Sequence, residues 1–257
     1  MIIDGRAIET QWWGPDADQA PTLVLLHEGL GCVALWRDFP DALASATGCG
    51  VFAYSRFGYG ASDPVTLPRP MTYMHDEALS VLPRVLDATR VRRGVLIGHS
   101  DGGSIATIYA GAVRDARVAG VVLIAAHFSV EEINIASIAD IKANYEQGDL
   151  RQRLAKYHRD VDVAFRGWND AWLDPRFRAF DIADHVARIQ APVLALQGAD
   201  DPYGTPEQLR VLERLASRQV ETWLMPDARH SPQLEAKEAT LAMIVPFVRK
   251  VLMKAAA

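Results

Sequence analysis

Short apolar runs alternate along the chain with longer segments in which apolar residues recur at helical spacing. Runs at residues 22–27, 50–54, 94–98, 118–126, 192–197 and 219–224 predict strands. Segments at 36–47, 72–89, 101–113, 206–216 and 233–253 predict helices. Strands without polar alternation, each followed by a helix, predict an α/β fold: a mostly parallel central sheet flanked by helices. In the last helix Leu234, Leu241, Ile244, Val248 and Val251 fall on one stripe, and residues 1–14 predict an antiparallel edge hairpin.

The alternation stops after Ala126 and resumes at Pro192. Residues 128–190 are rich in helix formers and contain Phe165, Trp168, Trp172, Phe177 and Phe180, with no β-type run. The simplest organisation is a core of residues 1–127 and 191–257 interrupted by a helical cap insertion at 128–190. No repeat or Gly/Ser linker is present, and the chain ends in Ala255-Ala256-Ala257.

Composition narrows the function. The 257 residues carry 27 Lys+Arg against 32 Asp+Glu, a net charge of −5, which argues against a nucleic-acid partner. With 49% hydrophobic and 23% charged residues the chain has the composition of a globular domain, not of a disordered one. Its longest apolar stretch, residues 118–126, falls far short of the ~20 residues of a membrane span. Asp4, Arg6 and Glu9 interrupt any secretory-leader pattern, so a cytoplasmic location is expected, with Cys32 and Cys49 unpaired. Oligomeric state leaves no trace in the pattern.

The chemistry centres on Gly98-His99-Ser100-Asp101-Gly102, a G-x-S-x-G core between a predicted strand and a predicted helix. In that context the serine sits on a sharp strand-to-helix turn, with glycines two residues before and after it because side chains there would strike backbone. The plainer alternative is a helix-capping serine in a glycine-rich turn. A serine nucleophile needs a base oriented by an acid. Loops after the two last strands supply Asp200 and Asp201, then His230, in the order Ser, Asp, His.

Together with Leu25-Leu26-His27-Glu28-Gly29-Leu30-Gly31, Trp36 and Tyr54-Ser55-Arg56-Phe57-Gly58-Tyr59-Gly60, these segments resemble the α/β-hydrolase superfamily, in its cap-bearing esterase, lactonase and C–C hydrolase branch. The resemblance covers essentially the whole chain. It implies Ser100 as nucleophile, His230 as base and Asp201, third after Gly198, as the acid. It also implies an oxyanion hole from the amides of Gly29 and Asp101. Ser100 argues against the related dehalogenases and epoxide hydrolases, which use aspartate. A small ester, thioester or lactone is the expected substrate, with C–C bond hydrolysis, a cofactor-free oxygenase or peroxidase side activity, or a non-catalytic ligand receptor as alternatives.

Two residues depart from the family pattern. Glu28 stands where glycine is usual, either orienting substrate or water, or accepting hydrogen bonds from loop amides or Arg56. Asp101 follows the nucleophile at a helix start, where negative charge is favoured, and is expected to point away from the oxyanion, held by a donor. His127 is a candidate pocket residue, as are Trp168 and Trp172, four apart and so on one helical face, of which one is expected to pack and the other to wall an apolar pocket. Tyr203 is a further candidate wall. Arg229 is expected at a solvated rim, His27 and His99 as satisfied core histidines, and His75-Asp76-Glu77 on a solvated face. No nucleotide-binding glycine loop or H-E-x-x-H pair is present, so neither cofactor nor metal is expected.

Overall fold

The computed structural model describes residues 1–253; the terminal Ala255-Ala256-Ala257 lies outside them. Its strands are β1 (Ile2–Ile3), β2 (Arg6–Ala7), β3 (Thr10–Trp13), β4 (Thr22–Leu26), β5 (Gly50–Tyr54), β6 (Gly94–His99), β7 (Val118–Ile124), β8 (Val193–Gly198) and β9 (Val220–Met225). The helices are α1 (Phe39–Thr47), α2 (Tyr73–Asp76), α3 (Leu82–Ala88), α4 (Asp101–Ala112), α5 (Glu132–Gln147), α6 (Leu150–Leu154), α7 (Val161–Leu173), α8 (Ala183–Arg188), α9 (Glu207–Leu215), α10 (Pro232–Glu235) and α11 (Lys237–Met253).

Seven strands form one sheet in the order β3-β5-β4-β6-β7-β8-β9, all parallel except β3, which pairs antiparallel with β5 at the edge. Strands β4 to β8 are apolar on both faces because helices cover both. On one face Leu23, Leu25, Val95, Ile97, Val122 and Leu194 pack with α1 and α11 through Phe39, Leu43, Ile244, Phe247 and Val248. On the other, Val24, Leu26, Leu96, Val121 and Ala195 pack with Leu82, Val85, Ile105, Ile108 and Val186 of α3, α4 and α8.

Several predicted elements divide where the backbone demands it. Residues 1–14 are not one hairpin: Asp4 and Gly5, both at positive φ, make the tight turn between β1 and β2, and β3 leaves to join the main sheet. The expected helix at 72–89 is interrupted by a π-type turn, Glu77–Val81, just before Pro83, whose missing N–H cannot extend the regular ladder. The last helix is broken at Ala236 into α10 and α11; Leu234 is exposed and Phe247 takes its place in the buried stripe. Between β7 and β8 lie α5 to α8, and an isolated antiparallel bridge, Ser129 to Asp181, ties the two ends of this segment together. Among the described residues no helix is long and apolar enough to cross a membrane.

Candidate active site

A parallel sheet collects the loops that follow its strands at one end. The segments after β4, β6, β7, β8 and β9 carry Glu28-Gly29, Ser100, His127, Asp201 and His230 respectively. Ser100 holds φ 52° and ψ −118°, a conformation side chains rarely adopt. Its N–H donates to Ile124 O (2.8 Å), and its carbonyl accepts from Gly103 and Ser104 (2.8 and 3.0 Å), so the turn is held from both sides. A Cβ at Gly98 would overlap the carbonyl of Gly102, and one at Gly102 would overlap that of Leu26. Both glycines are therefore steric requirements of the turn.

His230 donates from Nδ1 to Asp201, whose oxygens lie at 2.9 and 3.0 Å, which leaves Nε2 as the nitrogen with a free lone pair. Asp201 is buried and also accepts from the Tyr203 amide (2.8 Å). Burial alone would raise its pKa, but the His230 hydrogen bond and charge, with the Tyr203 amide, bring it below the ordinary carboxylate value. Asp200 is exposed and engages only through its backbone, N–H to Ala228 O at 3.2 Å.

Ser100 and His230 border a common cavity of about 90 Å³. This is well above the ~10–15 Å³ that a single water needs, so the cavity has room for a small group. Gly29, Asp101, Glu28, His127, Trp168, Trp172 and Tyr203 all border it, as do Leu30, Asn134 and Ile138. Trp168 lies on Gly29, where a Cβ would overlap the indole, so the glycine is needed for α7 to approach. Both tryptophans reach the cavity, and Trp172 in addition donates from Nε1 to Tyr73 Oη (3.0 Å) and Asp101 Oδ1 (3.3 Å). Asn134 and Ile138, from α5, went unnoticed in the sequence; only the capping of α5, in which Asn134 bonds back to the Glu131 amide (2.5 Å), marked that helix start.

Asp101 turns its carboxylate into the protein, fully buried. Tyr73 Oη donates to it (2.7 Å), and Arg56 Nη2 stands 3.8 Å away. Glu28 borders the cavity, and its carboxylate meets neither loop amides nor Arg56. Arg56 donates to its backbone carbonyl (2.9 Å), not its carboxylate, while Oε2 faces His99 Nδ1 at 3.5 Å. His27 is satisfied within the core, donating from Nδ1 to Glu28 O (2.7 Å) and accepting at Nε2 from the Arg56 amide (3.0 Å). His127 Nε2 donates to Tyr203 O (2.9 Å), and Arg229 is exposed. The expected solvated face at His75-Asp76-Glu77 is corrected in part: Asp76 is exposed, but Glu77 is buried under the π-type turn and accepts from Tyr54 Oη (2.7 Å).

These ionisable groups set an acid limit on the fold. Burial lowers the pKa of His27, His127 and His158, so the unfolded chain takes up protons first as pH falls through the ordinary histidine value. Burial opposes ionisation of Glu28, yet hydrogen bonding and charge from His99 lower its pKa from 4.5 to about 2. A depressed carboxylate contributes stability that is complete above its unfolded value and lost as pH falls through its folded one. Urea midpoints are expected to decline from about pH 7 to pH 5 through the histidines and further below about pH 4.5 through Glu28 and Asp201. A midpoint constant across both windows would contradict this assignment.

Residues 23–243 match the model of the alpha/beta hydrolase family, and the chain belongs to that family. A non-heme chloroperoxidase of Streptomyces lividans is 29% identical over 228 residues, 77% of this chain and 80% of that one. The fold is shared with the proline iminopeptidase of Mycobacterium smegmatis (TM-score 0.78, 17% identity, 98% of this chain and 97% of that one). It is shared also with the enol-lactonase of Burkholderia xenovorans LB400 (TM-score 0.74, 22% identity, 96% and 98%).

Proposed function

We propose that the protein is a serine hydrolase that opens a small carboxylic ester, thioester or lactone through an acyl-enzyme on Ser100. The observation that carries this reading is the pairing of His230 Nδ1 with buried Asp201 beside a serine on a left-handed turn that borders the same cavity. In the reaction Ser100 Oγ attacks the carbonyl carbon while His230 Nε2 takes its proton, and Asp201 stabilises the imidazolium. The developing oxyanion is received by the amides of Gly29 and Asp101. Collapse of the tetrahedral intermediate breaks the bond to the leaving oxygen or sulfur, which takes the proton from His230. Water, deprotonated by the same histidine, then releases the acid.

The walls support a modest, largely apolar acyl group: Leu30, Ile138, Trp168 and Trp172 line the cavity, and among the described residues no lysine or arginine borders it. We take residues 128–190 as the cap, since α5 and α7 deliver Asn134, Ile138, Trp168 and Trp172 to the site. The enol-lactonase and esterases among its structural relatives agree with this substrate class.

Labelling with a fluorophosphonate, followed by peptide mass spectrometry, tests the reading directly. A single adduct on Ser100, absent after His230→Ala, is expected. Among p-nitrophenyl esters, acetyl and butyryl esters are expected to be cleaved faster than octanoyl. Absence of an adduct with both a bulky and a small phosphonate would reject an activated serine. An active enzyme that turned over β-diketones but no ester would transfer the same triad to C–C hydrolysis.

A further inference from the structure

A buried chain of hydrogen bonds ties the turn that presents Ser100 to the aromatic wall of the cavity. Asp101 follows Ser100, and its Oδ2 accepts from Tyr73 Oη, on α2, at 2.7 Å. Trp172 Nε1, on α7, lies 3.0 Å from Tyr73 Oη and 3.3 Å from Asp101 Oδ1. Arg56 Nη2 stands 3.8 Å from the same Oδ2. Asp101, Tyr73 and Trp172 are all buried. Asp101 and Trp172 border the cavity, whereas Tyr73 does not.

An indole N–H only donates, so Tyr73 Oη accepts from Trp172 and gives its own proton to Asp101. The rest of the Trp172 ring is held by packing: Phe177 and Phe180 at centroid distances of 4.9 and 6.3 Å, and His127 at 5.5 Å. Packing gives the ring a place in an aromatic layer but lets it tilt and slide there; directional bonds at Nε1 fix one position. Phe177 and Phe180 also border a separate pocket of about 240 Å³, together with Met71, Thr72 and His75. Trp172 faces the small cavity and the two phenylalanines face the larger pocket, so one layer of rings stands between them.

We propose that Tyr73 and the carboxylate of Asp101 are specificity-determining positioning residues, which pin the Trp172 indole as a fixed wall and so confine the substrate to a short acyl chain. The inference rests on the serine-hydrolase reading above. A longer chain would have to push the indole back toward Phe177 and Phe180, and a pinned indole yields only by breaking hydrogen bonds in a site closed to water. The arrangement also joins two tasks in one residue: the amide of Asp101 receives the oxyanion while its side chain holds the wall. Tyr73 reaches the substrate only through Trp172, which makes it the position to probe.

The test uses the full chain. With p-nitrophenyl esters, and active sites counted by phosphonate labelling, Tyr73→Phe is expected to raise the ratio of kcat/KM for octanoate to that for butyrate by ~5-fold, the order of one lost hydrogen bond. In a Trp172→Phe background, with no indole N–H to hold, the same change is expected to leave the ratio within about 1.5-fold. By NMR, the indole N–H of Trp172, one of six and assigned by its loss in Trp172→Phe, is expected to exchange with deuterium far more slowly than that of half-exposed Trp223. In Tyr73→Phe it is expected to exchange at least ~10-fold faster than in the wild type. A wild-type Trp172 indole that exchanges as fast as Trp223 overturns the proposal, even if Tyr73→Phe fails to fold. So does an unchanged ratio in folded Tyr73→Phe, or an equal shift in both backgrounds, which would make Tyr73 a packing residue only. Without a Ser100 adduct in the wild type the hydrolase reading itself fails and the acyl-chain role falls with it, whereas the indole exchange decides separately whether Trp172 is pinned.

Discussion

Ser100→Ala and His230→Ala are each expected to lower kcat/KM for a short-chain ester by at least ~10⁴-fold, and the double variant to be no worse than either alone, because in the proposed mechanism nucleophile and base act as one unit. The two side chains differ in what the fold asks of them. The Ser100 turn is held by backbone hydrogen bonds and flanking glycines, and His230 is partly exposed and bonded by its ring only to Asp201. The thermal midpoint of Ser100→Ala should therefore stay close to that of the wild type, whereas His230→Ala, which leaves the buried Asp201 carboxylate without its partner, should melt lower. Asp201→Asn should fall nearly as far in rate, since an amide in that place no longer selects the tautomer with Nε2 free. Steady-state kinetics with a matched unfolding curve for each variant checks the set. A folded Ser100→Ala enzyme with more than a few per cent of wild-type turnover would mean that another group performs the attack.

The second large effect is expected on stability. Arg56 is 2% exposed and lies within a buried group comprising Asp101, Tyr59, Tyr73 and Glu77, while its Nη2 also holds the Glu28 carbonyl at 2.9 Å. Removing one member of a buried ionic set leaves the others uncompensated in a low dielectric, at a cost of about 3–5 kcal/mol. Arg56→Ala is expected to lose this much in urea denaturation. Part of the loss should return in Arg56→Ala/Asp101→Asn, because the neutral amide removes the stranded charge. If the single change cost under ~1 kcal/mol, the hydrogen bonds from Tyr73 and Trp172 to Asp101 would suffice by themselves, and Arg56 would serve the loop alone.

Position along the chain revealed the parts of the site that depend on local geometry. Ser100 was legible because the turn that presents it forbids side chains at residues 98 and 102, a constraint written in two glycines. Asp201 and His230 were legible because parallel strands deliver their following loops to one end, so rank order along the chain becomes proximity in space. The aromatic pair at Trp168 and Trp172 showed its shared face through helical spacing, but not that both residues reach the cavity.

The roles that stayed hidden belong to side chains whose partners are remote. Glu77 sits between Asp76 and Ala78 in what reads as an exposed helix start, and its partners, Tyr54 on β5 and the buried Arg56, come from across the fold. Glu28 looked like an anomaly paired with loop amides or Arg56; its partner is His99, which the sequence treated as an ordinary core histidine. Arg56 was visible as a possible donor, yet its position between the loop after β4 and Asp101 depends on Tyr73, which α2, just before the π-type turn, brings to the same carboxylate.

The sequence by itself therefore determined the sheet order's raw material, the nucleophile turn and the succession Ser, Asp, His, because hydrophobic period, glycine sterics and chain order are local properties. Only the tertiary structure decided which charges meet. Burial turns the sign and partner of an ionisable side chain into a matter of what lies within a few ångströms across the fold, and those distances link residues 28, 99 and 230, or 56, 73 and 101, which no spacing along the chain brings together.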